Sequence, residues 1–274
     1  LPTEKTIDRI LKRHGLITAE ASEKHKAWKR FEHKQPNDLW QMDFKGHFAT
    51  GSERCHPLTL LDDHSRYSLL IKASTDERYE TVKAALIGTF REYGLPISMT
   101  MDNGSPWGYS GKQLHTALTA WLIRLGIYVS HSRPKHPQTQ GKLERFHRTL
   151  KLELLSHYTF ANILEAQEGF DWWQKMYNEE RPHAAIGLGV PCQRYKRSER
   201  YYPEVLPGVA YDEGFVVRKV QKDGMIYFKG KEYRVGNAFY GQQVGLKKAE
   251  DSELMDVYFC HQKIVKIDTS ATSL

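Results

Sequence analysis

Apolar positions change their period along the chain, and the changes outline its elements. Ile7, Ile10 and Leu11 recur at helical spacing and stop at Gly15, which predicts one short helix near the start. Residues 19–36 are polar and basic, with only Trp28 and Phe31 as large apolar groups, and read as a linker or an extended helix. From Trp40 the pattern becomes that of strands. Segments 39–48, 58–61 and 67–71, with short connections, predict an antiparallel meander. Val82, Leu86 and Phe90 then predict a helix over 79–93, stopped by Gly94-Leu95-Pro96. A strand over 97–101, a helix over 112–125 stopped by Gly126, and a strand over 127–130 follow. Leu143, Phe146, Leu150 and Leu154 form the apolar stripe of a helix over 140–156, and another helix is predicted over 163–177.

The order β-β-β-α-β-α-β-α describes a mixed α/β sheet: a meander joined to parallel strands by crossover helices. It is the order of the ribonuclease H-like fold, with helices flanking the sheet. Prolines 182, 191, 203 and 207 interrupt a stretch of little periodicity, which suggests a linker. Past Tyr211 short strands alternate with turns, over 214–220, 225–228, 231–235, 243–246, 254–260 and 263–267, and point to a small β-barrel or sandwich. The expected organisation is a helical and basic segment over 1–36, a core over 37–195, a linker over 196–210 and a small β-barrel over 211–274.

Composition narrows the class. The 274 residues are 40% hydrophobic and 27% charged, enough to bury a sizeable core. No apolar run approaches the ~20 residues of a membrane helix, and no secretory leader opens the sequence. Cys55, Cys192 and Cys260 are scattered and form no CxxC pair, so neither a disulfide framework nor a Cys zinc site is expected. Cytoplasmic location is the expectation. The formal net charge is +7, and it is concentrated. Residues 131–151 hold six Lys or Arg and one acid, Glu144, whereas 211–274 hold ten and nine. A polyanionic partner fits that distribution.

Three acids stand at element ends that one sheet could gather. Asp43 lies within a strand between Met42 and Phe44, where a carboxylate is costly to bury unless paired or metal-bound. Asp102 follows an apolar strand, at the carboxyl end where open α/β sheets place ligands. Glu144 lies in the first turns of a helix, with Arg148 and Lys151 beside it at helical spacing. The chemistry that uses such a set is phosphoryl transfer assisted by two divalent cations, about 3.5–4 Å apart. Mg²⁺ takes few carboxylates and keeps waters and substrate oxygens as its other ligands.

The motifs resemble one family. Trp40-Gln-Met-Asp-Phe-Lys-Gly46 resembles the first-strand motif of the retroviral-integrase-like core in bacterial insertion-sequence transposases. Leu60-Leu-Asp-Asp-His-Ser-Arg66 resembles the hairpin after it, and Asp102-Asn-Gly104 the second acidic motif. Leu125-Gly-Ile127, Ser132-Arg-Pro134, His136-Pro-Gln138, Gln140-Gly-Lys-Leu-Glu-Arg145 and Thr149-Leu-Lys151 resemble the third. Tyr177-Asn-Glu-Glu-Arg-Pro-His183 and Pro191 are similar to the signature that ends the core. The resemblance covers residues 36–195. It implies a catalytic, metal-binding DDE triad of Asp43, Asp102 and Glu144. The 41 residues between the last two acids exceed the family's usual interval, and the excess falls in 105–111. The first helix resembles the end of a helix-turn-helix unit, and the tail resembles the β-barrel behind related cores.

That resemblance implies metal-dependent cleavage at transposon ends and transfer of the freed 3′-hydroxyl to target DNA. It implies two Mg²⁺ ions, with Mn²⁺ as substitute, double-stranded transposon-end and target DNA as partners, and a homo-oligomer on the DNA. Lys135, His136, Lys142, Arg145, Arg148 and Lys151 are the candidate phosphate contacts, which position DNA without reading its sequence. His147 and His183 read as structural, Asp62 and Asp63 as hairpin and ion-pair residues with Arg66 as candidate partner, and Trp107 and Tyr109 as packing residues, with stacking on a base as their alternative. A nuclease of the same fold that does not join strands, or a catalytically silent DNA-binding regulator, are the alternatives.

Overall fold

A computed structural model describes residues 2–16, 32–108, 115–132, 141–249 and 254–269. The chain divides into two compact units, Leu1–Glu32 and His33–Leu274. In the first, α1 (Glu4–Arg13) starts at the N-cap Thr3, whose hydroxyl accepts the Thr6 N–H. Gly15 follows it in the left-handed conformation at φ 68°, as its place after the apolar repeat led us to expect.

The second unit holds a five-stranded sheet of β1 (Leu39–Phe44), β4 (Leu58–Asp62), β5 (Ser68–Lys72), β6 (Ser98–Met101) and β7 (Tyr128–His131). Its order is β5-β4-β1-β6-β7. The β5, β4 and β1 pairings are antiparallel, and β1 to β6 and β6 to β7 are parallel. This is the mixed sheet expected from the sequence. The expected strand 39–48 ends early, at Phe44. Gly46 turns the chain at φ 84°, and Phe48–Ala49 (β2) pairs instead with Arg54–Cys55 (β3) in a separate small hairpin.

Alternation sends neighbouring residues of a strand to opposite faces, and the two faces carry separate cores. On one, Trp40, Met42 and Leu60 pack with Val82, Leu86 and Phe90 of α2 (Tyr79–Tyr93) and with α3 (Ala117–Arg124). On the other, Leu61 and Ile71 pack with Leu143, Phe146 and Leu150 of α4 (Gly141–Leu150) and with Phe170 and Trp173 of α5 (Ile163–Glu179). The stripe Leu143, Phe146, Leu150, Leu154 is buried throughout, although the last turn, Lys151–Leu155, widens into a π-helix. Among the described residues no helix is long and apolar enough to cross a membrane.

The tail is antiparallel. Strands β8 (Val216–Lys219), β11 (Gln243–Lys248), β12 (Leu254–Phe259) and β13 (Gln262–Asp268) form a sheet of order β13-β12-β11-β8, and β9 (Met225–Phe228) pairs with β10 (Lys231–Arg234). The segment 196–210, expected as a linker, lacks regular structure but is bonded to the core. Ser198 N donates to Tyr93 O, Leu95 N donates to Arg200 O, and the Arg200 guanidinium reaches the carbonyls of Pro96 and Gly126. Gly94 lies under this strap at φ 77°, where a Cβ would stand 2.6 Å from Ser198 O. At the far edge the Gln262 side chain acts as a short strand: it donates to Val129 O and accepts from Val129 N, both at 2.8 Å. The tail therefore docks on edge strand β7.

Candidate active site

The site is set by register. On β1 and β6, Leu39 pairs with Ser98, Trp40 with Met99 and Gln41 with Thr100. Two further residues along each chain bring Asp43 level with Asp102, at neighbouring parallel carboxyl ends. By alternation both side chains leave the sheet on the face of Gln41 and Thr59, the face that α4 covers. The two carboxyl groups sense each other. Burial, then the charge of Asp102, push the Asp43 carboxyl up to about 7, with Glu77 adding to the rise and the Phe44 N–H opposing it. An acid pair of this kind is costly alone and is relieved by a cation between its members.

Asp102 is held from several sides. Its Oδ1 accepts from Gly104 N at 2.8 Å and from the Trp107 indole N–H. Its backbone oxygen lies 2.8 Å from His131 Nδ1, and the Asn103 amide donates to Ser132 O. Gly104 has a spatial reason to be glycine: a Cβ there would come within 3.1–3.2 Å of both Asp102 carboxylate oxygens. The Asn103-Gly104 turn thus shapes the acid's setting.

Glu144 lies in the first turn of α4, with an exposed side chain. Among the described residues no three His, Cys, Asp or Glu side chains stand close enough to hold one metal ion. The fold therefore gathers the two aspartates and leaves Glu144 at the surface of the helix that covers them. That helix is tied to the pair's strand. His147, one turn beyond Glu144, has its Nε2 2.7 Å from Thr59 Oγ1, and Thr59 Oγ1 donates to Asp43 O at 2.9 Å. Thr59 is also the cross-strand partner of Asp43.

Lys142 is half-buried and ion-paired with Asp63 at 2.5 Å, where the side chain of Asp63 is 2% exposed. Asp63 also accepts from Gln41 Nε2 and His33 N. The ion pair expected for this acid thus runs to α4 and spends the ammonium of a residue expected to meet DNA. Asp62 is fully buried and accepts from Asn37 N and from Ser65 N and Oγ, a hairpin role as expected. Arg145, Arg148 and Lys151 are exposed. Lys135, His136 and Tyr109 lie outside the described residues.

Three groups at the site escaped the sequence reading. Lys45, two residues past Asp43, has its ammonium pKa lowered by burial and by Lys151 nearby. Thr59 links strand to helix. Trp107 packs as expected, 1% exposed and stacked on Phe44, but also donates to Asp102. Only the motif position of Lys45 offered a signal.

Comparisons with known proteins bear on the core and on the tail. Two models described as integrase core domain match residues 33–137 and 125–191. The chain carries an integrase core. Behind it, residues 215–274 match the model of the IS481 family transposase C-terminal domain. In core and tail the chain is similar to insertion-sequence transposases. A 39.2 kDa protein of insertion element IS476 from Xanthomonas euvesicatoria is 28% identical over 158 residues, 58% of this chain and 44% of that protein. A candidate transposase for insertion sequence element IS5376 from Geobacillus stearothermophilus is 24% identical over 204 residues, 71% of this chain and 49% of its own. The chain spans about half the length of the curated relatives it matches. A chain of the simian T-cell lymphotropic virus intasome, solved in complex with PP2A regulatory subunit B56 gamma, has a TM-score of 0.50 over 94% of both chains. At 16% identity it speaks to the fold, which is ribonuclease H-like.

Proposed function

We propose that this integrase-core chain is a DDE transposase that cleaves DNA at transposon ends and joins the freed 3′-hydroxyl to target DNA. The observation that carries the proposal is the level placement of Asp43 and Asp102, with the Asp43 carboxyl raised by burial and by its neighbour. The donor set is all carboxylate, which suits Mg²⁺ or Mn²⁺. Asp43 and Asp102 would hold the ions, with Glu144 as the third ligand. A pair of such ions supplies activation of the attacking oxygen and neutralisation of charge at the scissile phosphate.

The chain's own residues do the rest. Gly104 N and the Trp107 indole orient Asp102, Asn103 holds its turn on the end of β7, and His147 with Thr59 holds the Glu144 helix against the Asp43 strand. Arg145, Arg148 and Lys151 bind flanking phosphates, with Lys135 and His136 ahead of the helix. Lys142 anchors that helix through Asp63. In the first step water attacks phosphorus and a 3′-hydroxyl leaves. In the second that hydroxyl attacks a target phosphodiester, and one P–O bond forms as one breaks. Neither step uses a covalent protein intermediate. Two ends must be held at once, which calls for a homo-oligomer on DNA.

The test is strand transfer by the full-length protein, with labelled duplexes carrying the element's inverted repeats, a plasmid target, and Mg²⁺ or EDTA. Joined product that requires both the metal and Glu144, absent in Glu144→Gln, is the expected result. Nicks without joined product would make the chain a nuclease. DNA binding without chemistry would make it a regulator.

A further inference from the structure

Trp107 lies in the stretch 105–111 that lengthens the interval between the second and third acids. It is among the most buried large side chains, at 1% exposure. A buried indole N–H needs an acceptor, and this one takes a carboxylate, Asp102 Oδ1. Gly104 N donates to the same oxygen. Both donors land on Oδ1 and engage that oxygen from within the loop, so Oδ2 is the oxygen that Asp102 would offer to a cation. The ring that carries the donor is itself fixed. It stacks on Phe44 with centroids 5.4 Å apart and planes 18° apart. Phe44 directly follows Asp43. One aromatic pair therefore spans the ends of β1 and β6, bonded to the carboxylate at one strand end and stacked on the residue that follows the carboxylate of the other.

We propose that Trp107 is a positioning residue for the Asp43–Asp102 cation site, through its indole N–H on Asp102 and its stack on Phe44. The proposal rests on the two-carboxylate metal reading above and deepens it. Partners behind a metal ligand set its orientation, and their loss typically costs about 10–100-fold in metal affinity or activity. A packing residue without this bond would lower stability and leave the affinity alone.

The experiment uses Mn²⁺ itself as probe, with free ion counted by electron paramagnetic resonance. Trp107→Phe keeps a ring against Phe44 and loses the donor. Replacement of Trp107 by 3-benzothienylalanine keeps the shape of the indole and exchanges only N–H for sulfur, which guards against a folding defect. Both are expected to bind Mn²⁺ about 10-fold more weakly than wild type or worse, with the melting temperature of the benzothienyl protein unchanged. In ¹⁵N-indole-labelled wild type, the Trp107 N–H signal is expected to shift on Mg²⁺ addition. Mn²⁺ affinity of the benzothienyl protein within twofold of wild type, or an indole signal blind to Mg²⁺ that wild type binds, would overturn the inference alone. Wild type binding Mn²⁺ no better than Asp102→Asn would overturn the metal reading together with it.

Discussion

His147 donates its Nε2–H to Thr59 Oγ1 across 2.7 Å. The direction follows from the third member. Asp43 O can only accept, so the single hydroxyl proton of Thr59 goes there, and Thr59 receives the imidazole's proton. The ring therefore carries a proton on Nε2, while burial, and secondarily Lys45, pushes its pKa down to about 3. Thr59→Val keeps the shape and strands that imidazole N–H. It should cost about 1–3 kcal/mol, measured by urea unfolding, and lower strand transfer because the Glu144 helix loses its tie to the Asp43 strand.

The same ring shapes the acid response. Burial depresses His147 to about 3 and His115 and His183 each to about 4, while an unfolded chain protonates near 6.5. Below 6.5 the unfolded state binds more protons than the folded one, so these groups reduce stability as pH falls from 6.5 towards 4. His147→Gln keeps an amide donor for Thr59 and cannot titrate. Its unfolding free energy should fall less steeply over that window, by about 1.4 kcal/mol per pH unit, in urea titrations at pH 7, 6 and 5.

Lys142 and Arg148 sit on one helix and should behave differently. Lys142→Met leaves the buried carboxylate of Asp63 without its cation, which should cost about 3–5 kcal/mol of stability. Arg148→Ala should leave stability within about 0.5 kcal/mol and reduce the salt slope of DNA binding by about one. Equal salt slopes for wild type and Arg148→Ala would remove Arg148 from the DNA interface.

Gln262→Ala tests the docking of the tail. It strips both backbone partners from buried Val129, at about 1–3 kcal/mol for each unsatisfied group. Hydrogen exchange should rise at Val129 and along β13 before it rises in β1 or β4.

Gly104→Ala probes the carboxylate's room. Its Cβ would press on Asp102 at 3.1–3.2 Å. Mn²⁺ affinity should drop while the melting temperature stays near wild type, because the residue meets the acid and not the core.

Periodicity within one segment determined much of this protein. The alternation around Trp40 and Met42, the helical spacing of Val82, Leu86 and Phe90, and the stripe from Leu143 to Leu154 foretold the order of strands and helices, since each depends on residues a few positions apart. The motifs singled out Asp43, Asp102 and Glu144 in the same local way. Tertiary structure alone decided the sheet order β5-β4-β1-β6-β7, and with it the level placement of Asp43 and Asp102. It also decided the partners of side chains far apart in the chain: Lys142 with Asp63 across 79 residues, Gln262 with Val129 across 133, and His147 with Thr59 across 88. A residue's type states what it can bond to, but the partner is whichever group packing brings within about 3 Å. Trp107 was legible as an aromatic in a loop. Only the fold of that loop over Phe44 turned its N–H onto Asp102.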